Sequence, residues 1–284
     1  MRKSASSGSV ALVAASAGSL QTGAAFGATL FPLVGPLGVV ALRQLVTAVV
    51  LLALTRPPLA RIGLRALLPA VLLGVVLVGM NLTLYSAVER IGLGLAVTIE
   101  FVGPLGVALA VRGSGALRRS GAAFLALVGV VLVTDPAASA RPDAVGIAFA
   151  LGAATLWAAY ILLNQRVGSL PGLTGTAVAG LVGTVLTLPA LVLLLSALPP
   201  GRLPQVLAIG ALTGLLSSAL PYSLDLLVLR RIPRSLFGVL QSVHPVAAAL
   251  AGLVVLHQAL VAPQVAGIAL VCAANVVAVV RRDA

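Results

Sequence analysis

The chain has 284 residues, of which 60% are hydrophobic and only 8% are charged. Soluble globular proteins carry roughly a quarter charged residues, so this composition excludes a water-soluble fold and indicates an integral membrane protein. The formal net charge of +12 comes from small basic clusters between apolar segments. Because no basic helix or aromatic-interleaved stripe is present, we expect no nucleic-acid partner.

Ten apolar segments, separated by short stretches with Pro, Gly and Arg, predict ten membrane-spanning helices. The first segment begins like a secretory signal peptide, but its apolar stretch continues through Phe31 and is long enough for a retained helix. The connections are too short to hold a soluble domain. In chain order, the predicted helices lie at 10–31, 36–55, 67–87, 92–111, 119–134, 143–165, 173–197, 205–229, 235–256 and 260–280.

The distribution of Lys and Arg predicts the orientation of the chain. When the N-terminus is placed in the cytoplasm, 14 of the 18 Lys and Arg residues fall at cytoplasmic ends of the predicted helices, as the positive-inside rule requires. The opposite ends hold only Arg90, Arg141 and Arg202. Both termini are therefore expected in the cytoplasm.

A short motif occurs in both halves of the chain. Arg90-Ile91-Gly92 followed by Pro104 aligns with Arg231-Ile232-Pro233 followed by Pro245. The alignment has no gap and a constant separation of 141 residues. Each half would contain five helices, an odd number, so the second copy must cross the membrane in the opposite sense. The residue before the motif is Glu89 in the first half and Arg230 in the second. A basic residue is expected in the second copy, because that loop would lie on the cytoplasmic side.

These patterns predict an all-α membrane protein made of ten transmembrane helices in two inverted five-helix repeats, residues 1–141 and 142–284. Inverted repeats are a recurring design of secondary transporters, in which the substrate site lies near the midplane where the halves meet. Two similar halves of opposite orientation give two states of comparable energy, one open to each side. The predicted mechanism is therefore alternating access.

The stretch VTIEFVGPL places Glu100 among apolar residues, about 12 Å from the outer end of its helix at Gly92. In a hydrocarbon core about 30 Å thick, this is close to the midplane. A charged side chain there costs about 2.5–3.5 kcal/mol, so it faces a cavity or a partner. Glu100 is accordingly a candidate proton carrier; the alternative is a hydrogen bond to a neighbouring helix that holds the bundle together.

In the second half, Gln241 is the repeat counterpart of Glu100, and His244 lies about 15 Å from the inner end of the same helix. Histidine titrates in the physiological range, which makes His244 a second candidate for proton coupling; the alternative is a neutral core histidine. Pro104 and Pro245 follow these polar residues, and each removes a backbone donor and frees a carbonyl about one turn earlier.

Arg43 is the basic residue that falls inside a predicted span. Three interpretations remain open: its side chain extends toward the interface, neutralises Glu100, or binds a substrate carboxylate. If it binds a carboxylate, Arg43 and Glu100 together suit a zwitterion such as an amino acid.

Further polar residues are arranged so that they share helix faces. Trp157, Tyr160 and Asn164 follow at spacings of three and four residues and either line a cavity or pack in the bundle. Weaker candidates are Gln21, Thr22, Asn81, Tyr85, Ser217, Ser218 and Tyr222. The sequence contains no phosphate-binding loop, HExxH, CxxC or nucleophile elbow. We therefore expect no enzyme, no cofactor and no metal, and transport driven by an ion gradient or by the substrate's own gradient.

Segments in order along nearly the whole chain resemble the drug/metabolite transporter superfamily with EamA-type repeats, and within it the threonine/homoserine exporter branch. They are SLQTGAAFGATLFPLVG, GVVALRQL, GMNLTLYSA, TIEFVGPLGVAL, LWAAYILLNQR and LSSALPYSLDLLVLRRIPRSLFGVLQSVHPVAAALAG. The resemblance implies a multi-pass carrier of the bacterial inner membrane that exports small amino acids or similar metabolites against protons. It also implies a central cavity at or near Glu100, Arg43, Trp157, Tyr160 and Tyr222.

The chain departs from that branch at three positions. His244 stands where the branch has a glutamate before the proline of the ninth helix, Gln258 stands where a glutamate opens the tenth, and Ala28 replaces a lysine of the first helix. The leading hypothesis is a proton-coupled exporter of amino acids. Two alternatives are an efflux carrier of drugs or organic cations, in which Glu100 binds the cation, and a membrane scaffold that transports nothing.

Overall fold

The structure, a computed structural model, describes residues 7–56, 62–110, 116–134, 143–167, 170, 173–221, 224 and 240–279. All regular secondary structure in these residues is helical, which confirms the predicted all-α class. The α-helices are α1 (Ser7–Ala28), α2 (Phe31–Thr55), α3 (Leu64–Ile91), α4 (Leu93–Glu100), α5 (Val102–Ala110), α6 (Ala116–Thr134), α7 (Ala144–Val167), α8 (Thr174–Ser196), α9 (Leu203–Gly214), α10 (His244–Leu256) and α11 (Ala262–Val279).

Every one of the ten predicted segments contains helix in the described part of the chain. Five helices there are long and apolar enough to cross a membrane: Val10–Ala28, Phe31–Thr55, Arg65–Ile91, Ala144–Asn164 and Thr174–Ser196. Shorter apolar helices occupy Leu93–Val107, Ser120–Val133, Gln241–Leu256 and Ala262–Val277. The count of ten crossings, the inverted repeat and the orientation of the termini stay predictions.

The fourth predicted segment is broken into α4 and α5 at Phe101. Pro104 causes the break, because it has no N–H to donate to the carbonyl of Glu100 one turn earlier. Immediately before it, Gly103 lies so close to α7 that a side-chain carbon at this position would clash with the carbonyl of Ala154. The sequence therefore places Glu100 at the end of a short helix, beside a tight helix crossing.

The second helix has a similar interruption near its start. Gly35 has φ 62° and ψ 178°, a conformation outside the helical region, and Pro36 follows it. Only glycine adopts this backbone conformation without strain. The regular part of α2 therefore begins after Gly35, in agreement with the predicted start at residue 36.

The helices pack so that polar side chains of α1, α2, α3, α4 and α10 lie in the interior. The most extensive helix contacts in the described residues are those of α3 with α7, α6 with α11, and α2 with α8, while α10 packs against both α1 and α4. At the α6–α11 crossing, the backbones of Gly129 and Gly267 approach closely, as small residues allow in membrane helices. Tyr85, Leu93 and Ile99 are fully buried members of the largest core cluster.

The outer surface of the bundle is strongly apolar. Leu54, Leu193 and Val254 expose 69%, 69% and 70% of their surface, and large apolar side chains are also exposed on α3, α6, α7, α9 and α11. Soluble monomers rarely expose apolar patches of this extent. A surface of this kind is stable against lipid tails, so the structure agrees with the membrane assignment from composition.

Candidate functional site

Arg43 of α2 is held inside the bundle by three hydrogen bonds. Its Nη1 donates to Asn81 Oδ1 of α3 at 2.8 Å, its Nη2 to the backbone carbonyl of Ser217 at 3.0 Å, and its Nε to Ser218 Oγ at 3.4 Å. The side chain is only 8% exposed, so it is enclosed by the bundle and does not lie on its outer surface. A guanidinium has five N–H donors, and these bonds use three of them.

The carbonyl of Ser217 is available to Arg43 because of a local break in the helix that follows α9. Residues Leu215–Ala219 form a π-helical turn, in which the N–H of Leu220 donates to the carbonyl of Leu215. Pro221 has no N–H with which to bond the carbonyl of Ser217, four residues earlier. The break frees a second carbonyl, that of Leu216, which accepts a hydrogen bond from Ser19 Oγ at 2.7 Å.

Asn81 is oriented toward Arg43 by its own helix. Its Nδ2 donates to the carbonyl of Leu77, one turn earlier on α3, at 2.7 Å. This bond directs the amide oxygen to the guanidinium. Asn81 is 4% exposed, and both ends of its amide are therefore satisfied inside the protein.

Glu100 is the last residue of α4 and is 4% exposed. Within the described residues, no hydrogen bond reaches its carboxylate, so the bond required by the structural alternative is not found there. The positive charge that acts on the carboxylate is that of Arg43. Arg43 and Glu100 are thus both buried in the bundle, and none of the three described hydrogen bonds of Arg43 goes to Glu100.

His244, the first residue of α10, is 6% exposed and lies between two glutamines. Its Nε2 is 2.7 Å from Gln241 Oε1, and its Nδ1 is 3.4 Å from Gln21 Nε2 of α1. The ring stacks on Phe101, with ring centroids 5.9 Å apart and 26° between the planes. Since Phe101 follows Glu100 directly, the two candidate proton carriers lie on adjoining elements.

The shared helix face of Trp157, Tyr160 and Asn164 is divided among three surroundings. Trp157 packs edge-on against Phe101, with centroids 4.8 Å apart, and belongs to the central region. Tyr160 packs with a separate cluster that includes Leu73 of α3, and Asn164 is exposed. Tyr222, the remaining candidate, lies outside the described residues.

A cavity of about 320 Å³ lies near the start of α4, between that helix and the α10–α11 connection. Its lining includes Gly92, Gly252, Gln258 and Gln264. Gln258 Oε1 accepts the backbone N–H of Leu93 at 2.9 Å. This residue, which departs from the resembled branch, therefore caps the N-terminus of α4.

On the same side of the bundle, Asp143 caps α7 and pairs with the end of α3. Its Oδ1 accepts the N–H of Gly146 at 2.8 Å, and its Oδ2 accepts a bond from Arg90 at 3.2 Å. These contacts hold the pKa of the Asp143 carboxyl below its ordinary value, the Gly146 bond more than Arg90. Sequence reasoning missed this cap, although an aspartate before an apolar helical run is a known start signal.

Comparisons with known proteins show what this chain is similar to. Residues 144–280 match the model of the EamA-like transporter family. The chain is 35% identical over 265 residues to the threonine/homoserine exporter RhtA of Escherichia coli (strain K12), a match that covers 90% of this chain and 86% of that exporter. The same values hold for the threonine/homoserine exporter RhtA of Salmonella typhimurium (strain LT2).

The fold is also similar to that of solved structures, among them a crystal structure. It is 20% identical to this chain and superposes with a TM-score of 0.61, covering 96% of this chain and 97% of the other. At this level of identity the likeness concerns the fold alone.

Proposed function

The chain belongs to the EamA-like transporter family, and from this premise we propose that it exports small amino acids of the threonine/homoserine type, or related metabolites, across the bacterial inner membrane. The relatives are named exporters, so the chain is a transporter and not an enzyme. Export is a secondary active process in which protons are exchanged for substrate by alternating access.

The observation that carries the proposal is the placement of Arg43 and Glu100 in one buried region. Arg43 keeps two N–H donors beyond its three described bonds, which suits a bidentate bond to a carboxylate. The Glu100 carboxylate suits the ammonium group of the same substrate. A pair of opposite charges that are each available for a ligand matches an amino-acid zwitterion.

The same arrangement disfavours an organic cation as the main substrate. The positive charge of Arg43 acts on Glu100, and it would repel a cation that binds there. A cation would also leave the remaining guanidinium donors without an acceptor in a buried position, which is costly.

Two inverted repeats, 1–141 and 142–284, are supported by how the helices contact one another. In the proposed repeat, α1 corresponds to α7, α3 to α9, and α4 together with α5 to α10. The contact of α1 with α10 then corresponds to the contact of α7 with α4 and α5, and the contact of α3 with α7 corresponds to that of α9 with α1. The family model matches residues 144–280, close to the second proposed repeat. The pairs α2–α8, α4–α10 and α6–α11 then lie across the pseudo-symmetry axis.

The proton-coupling role is assigned to Glu100 and His244, with Gln241 as the hydrogen-bond partner of His244. Trp157 forms a wall of the site through its contact with Phe101, and Asn81 positions Arg43. We keep Tyr160 and Tyr222 in the proposed substrate path on the strength of the family resemblance. Both termini are proposed to lie in the cytoplasm, which puts the Arg90–Asp143 pair on the outer side.

The experiment is a transport assay in proteoliposomes with labelled threonine, labelled homoserine and a labelled lipophilic organic cation. An imposed pH gradient is expected to drive accumulation of the amino acids and not of the cation. Accumulation of the cation alone would contradict amino-acid export in favour of drug efflux. The absence of flux for all three, in a protein that is folded, would favour a scaffold.

A further inference from the structure

The hydrogen bonds of His244 define which ring nitrogen carries the proton. Gln241 Oε1 can only accept, so at 2.7 Å the Nε2 of His244 is the donor. The Nδ1 therefore has a free lone pair, and it accepts a bond from Gln21 Nε2 at 3.4 Å. In this arrangement the imidazole is neutral, and both of its nitrogens have partners.

The side chain of Gln21 is satisfied at one end only. It is 3% exposed, and its Oε1 is buried with no hydrogen-bond partner among the described residues. A buried amide oxygen without a donor is unfavourable. The bond at its other end is long compared with the usual 2.9–3.0 Å of such bonds, so little is lost when it breaks.

We propose that Gln21 is the switchable partner of His244: its side-chain amide turns over when Nδ1 of His244 takes up a proton, so that Oε1 replaces Nε2 as the partner of the ring. This positioning role rests on the proposed function, because it concerns proton coupling in the same site. The proton reaches Nδ1 from the aqueous side to which the site is open and leaves in the alternate state. Apart from this N–H bond and the exchange of the Gln21 hydrogen bond, no bond is made or broken.

The amide is suited to both states of the ring. With neutral His244, Nδ1 is an acceptor and faces the amide N–H; with protonated His244, Nδ1–H is a donor and faces the amide oxygen. The second bond is charge-assisted and therefore stronger than the first. The oxygen that is unpartnered in the neutral state becomes the acceptor in the protonated state.

The described helices that pack against α10 carry few ionisable groups. The described part of α1 has none, α4 contributes Glu100, and α11 contributes Cys272. The guanidinium of Arg43 lies on α2 and acts on Glu100. Protonated His244 would be attracted to an ionised Glu100, so the proton affinities of the two groups are coupled.

The test is ¹⁵N NMR of histidine in the full-length protein in lipid nanodiscs. The chain has two histidines, and His257→Asn leaves His244 as the observed one; asparagine tolerates the left-handed backbone at that position. In this background we expect the Nε2–H tautomer at high pH. If the Nδ1–H tautomer is observed instead, in the protein that retains Gln21, the proposal is overturned before any Gln21 variant is made.

The titration midpoint of His244 is then compared among variants at Gln21. We expect Gln21→Leu to weaken proton binding about tenfold, a shift of about one pH unit to lower pH, because the imidazolium loses its acceptor. Gln21→Glu should shift the midpoint to higher pH. Gln44→Leu is the matched control, since Gln44 is also buried with an unpartnered amide atom, and it should leave the midpoint unchanged.

An unchanged midpoint in both Gln21 variants would overturn the assignment of Gln21. The readout does not require transport, so the two proposals fail separately. A protein that titrates as expected but moves no amino acid contradicts the proposed function alone. A protein that couples protons to export, with a midpoint insensitive to Gln21, contradicts the role of Gln21 alone.

Discussion

Single residues carry the chemistry of this protein, and the backbone determines which of them have partners. Arg43 is buried without a described ion pair because Asn81 and the π-helical turn supply three acceptors. Glu100 has no hydrogen bond among the described residues. The interior therefore holds a guanidinium bound by three hydrogen bonds and a buried carboxyl group that has none among the described residues.

Asp143 gives a prediction of pH dependence at the residue scale. Its pKa is lowered in the folded protein, chiefly by the Gly146 N–H, so the ionised carboxylate stabilises the fold. This contribution is present above the ordinary carboxyl pKa of 3.8 and is lost as the pH falls through the lower folded value. We expect the melting temperature of the wild type in nanodiscs to exceed that of Asp143→Asn at pH 7, and the difference to disappear at strongly acidic pH.

The salt dependence of that difference separates the two partners of Asp143. The exposed Arg90 pair is screened by salt, whereas the helix cap remains. Glu89→Gln, an exposed carboxylate next to Arg90, is the control and should not show the difference. A gap between wild type and Asp143→Asn that is equal at every pH would contradict the assignment.

The buried polar residues of the site could be predicted from the sequence, but their hydrogen-bond partners could not. Glu100, Arg43 and His244 stand out because a polar residue in an apolar run must be buried or paired. The partners of Arg43 do not stand out, since helix periodicity does not say which residues on different helices meet. Pro221 does indicate in the sequence that the carbonyl of Ser217 is free, because proline has no N–H to bond the carbonyl four residues earlier. Trp157 and Tyr160 share a face but contact different clusters, a division that depends on neighbouring helices.

At the scale of elements, helix breaks position the polar groups. Pro104 separates α4 from α5 beside Glu100, Pro221 follows the π-helical turn beside Arg43, and Pro36 follows the kink in α2. Prolines and glycines in the sequence indicate such breaks. The close approach of α5 to α7 at Gly103 could not be predicted, because it depends on the path of the neighbouring backbone.

Gly103 provides a prediction for that crossing. Gly103→Ala places a methyl group against the Ala154 carbonyl and must separate α5 from α7, with an expected loss of about 1–3 kcal/mol of stability. Gly106→Ala on the same helix is the matched control, because its new methyl group meets nothing within 4 Å. Thermal unfolding in detergent should show a lower midpoint for Gly103→Ala than for the wild type, and no lowering of the midpoint for Gly106→Ala. Equal midpoints would mean that the crossing is looser than described.

At the scale of the whole molecule, composition and period were sufficient for the class. A chain with 60% hydrophobic residues in ten segments cannot be stable in water, and every segment contains helix in the described residues. Which helices contact one another could not be predicted from the segments, because periodicity describes each helix separately. An internal motif indicated a repeat, and the exchange of equivalent helix contacts supports it with observations that the sequence does not contain.

The central claim is that a buried carboxylate couples proton movement to amino-acid export. Its most direct test is pH-gradient-driven transport of labelled threonine by Glu100→Gln in proteoliposomes, with the exposed Glu89→Gln as the matched control. We expect Glu100→Gln to insert and fold normally but to lose gradient-driven accumulation by tenfold or more, on the order of what removal of a proton-transferring group costs, while Glu89→Gln transports like the wild type. Near-normal gradient-driven transport by Glu100→Gln would contradict the mechanism.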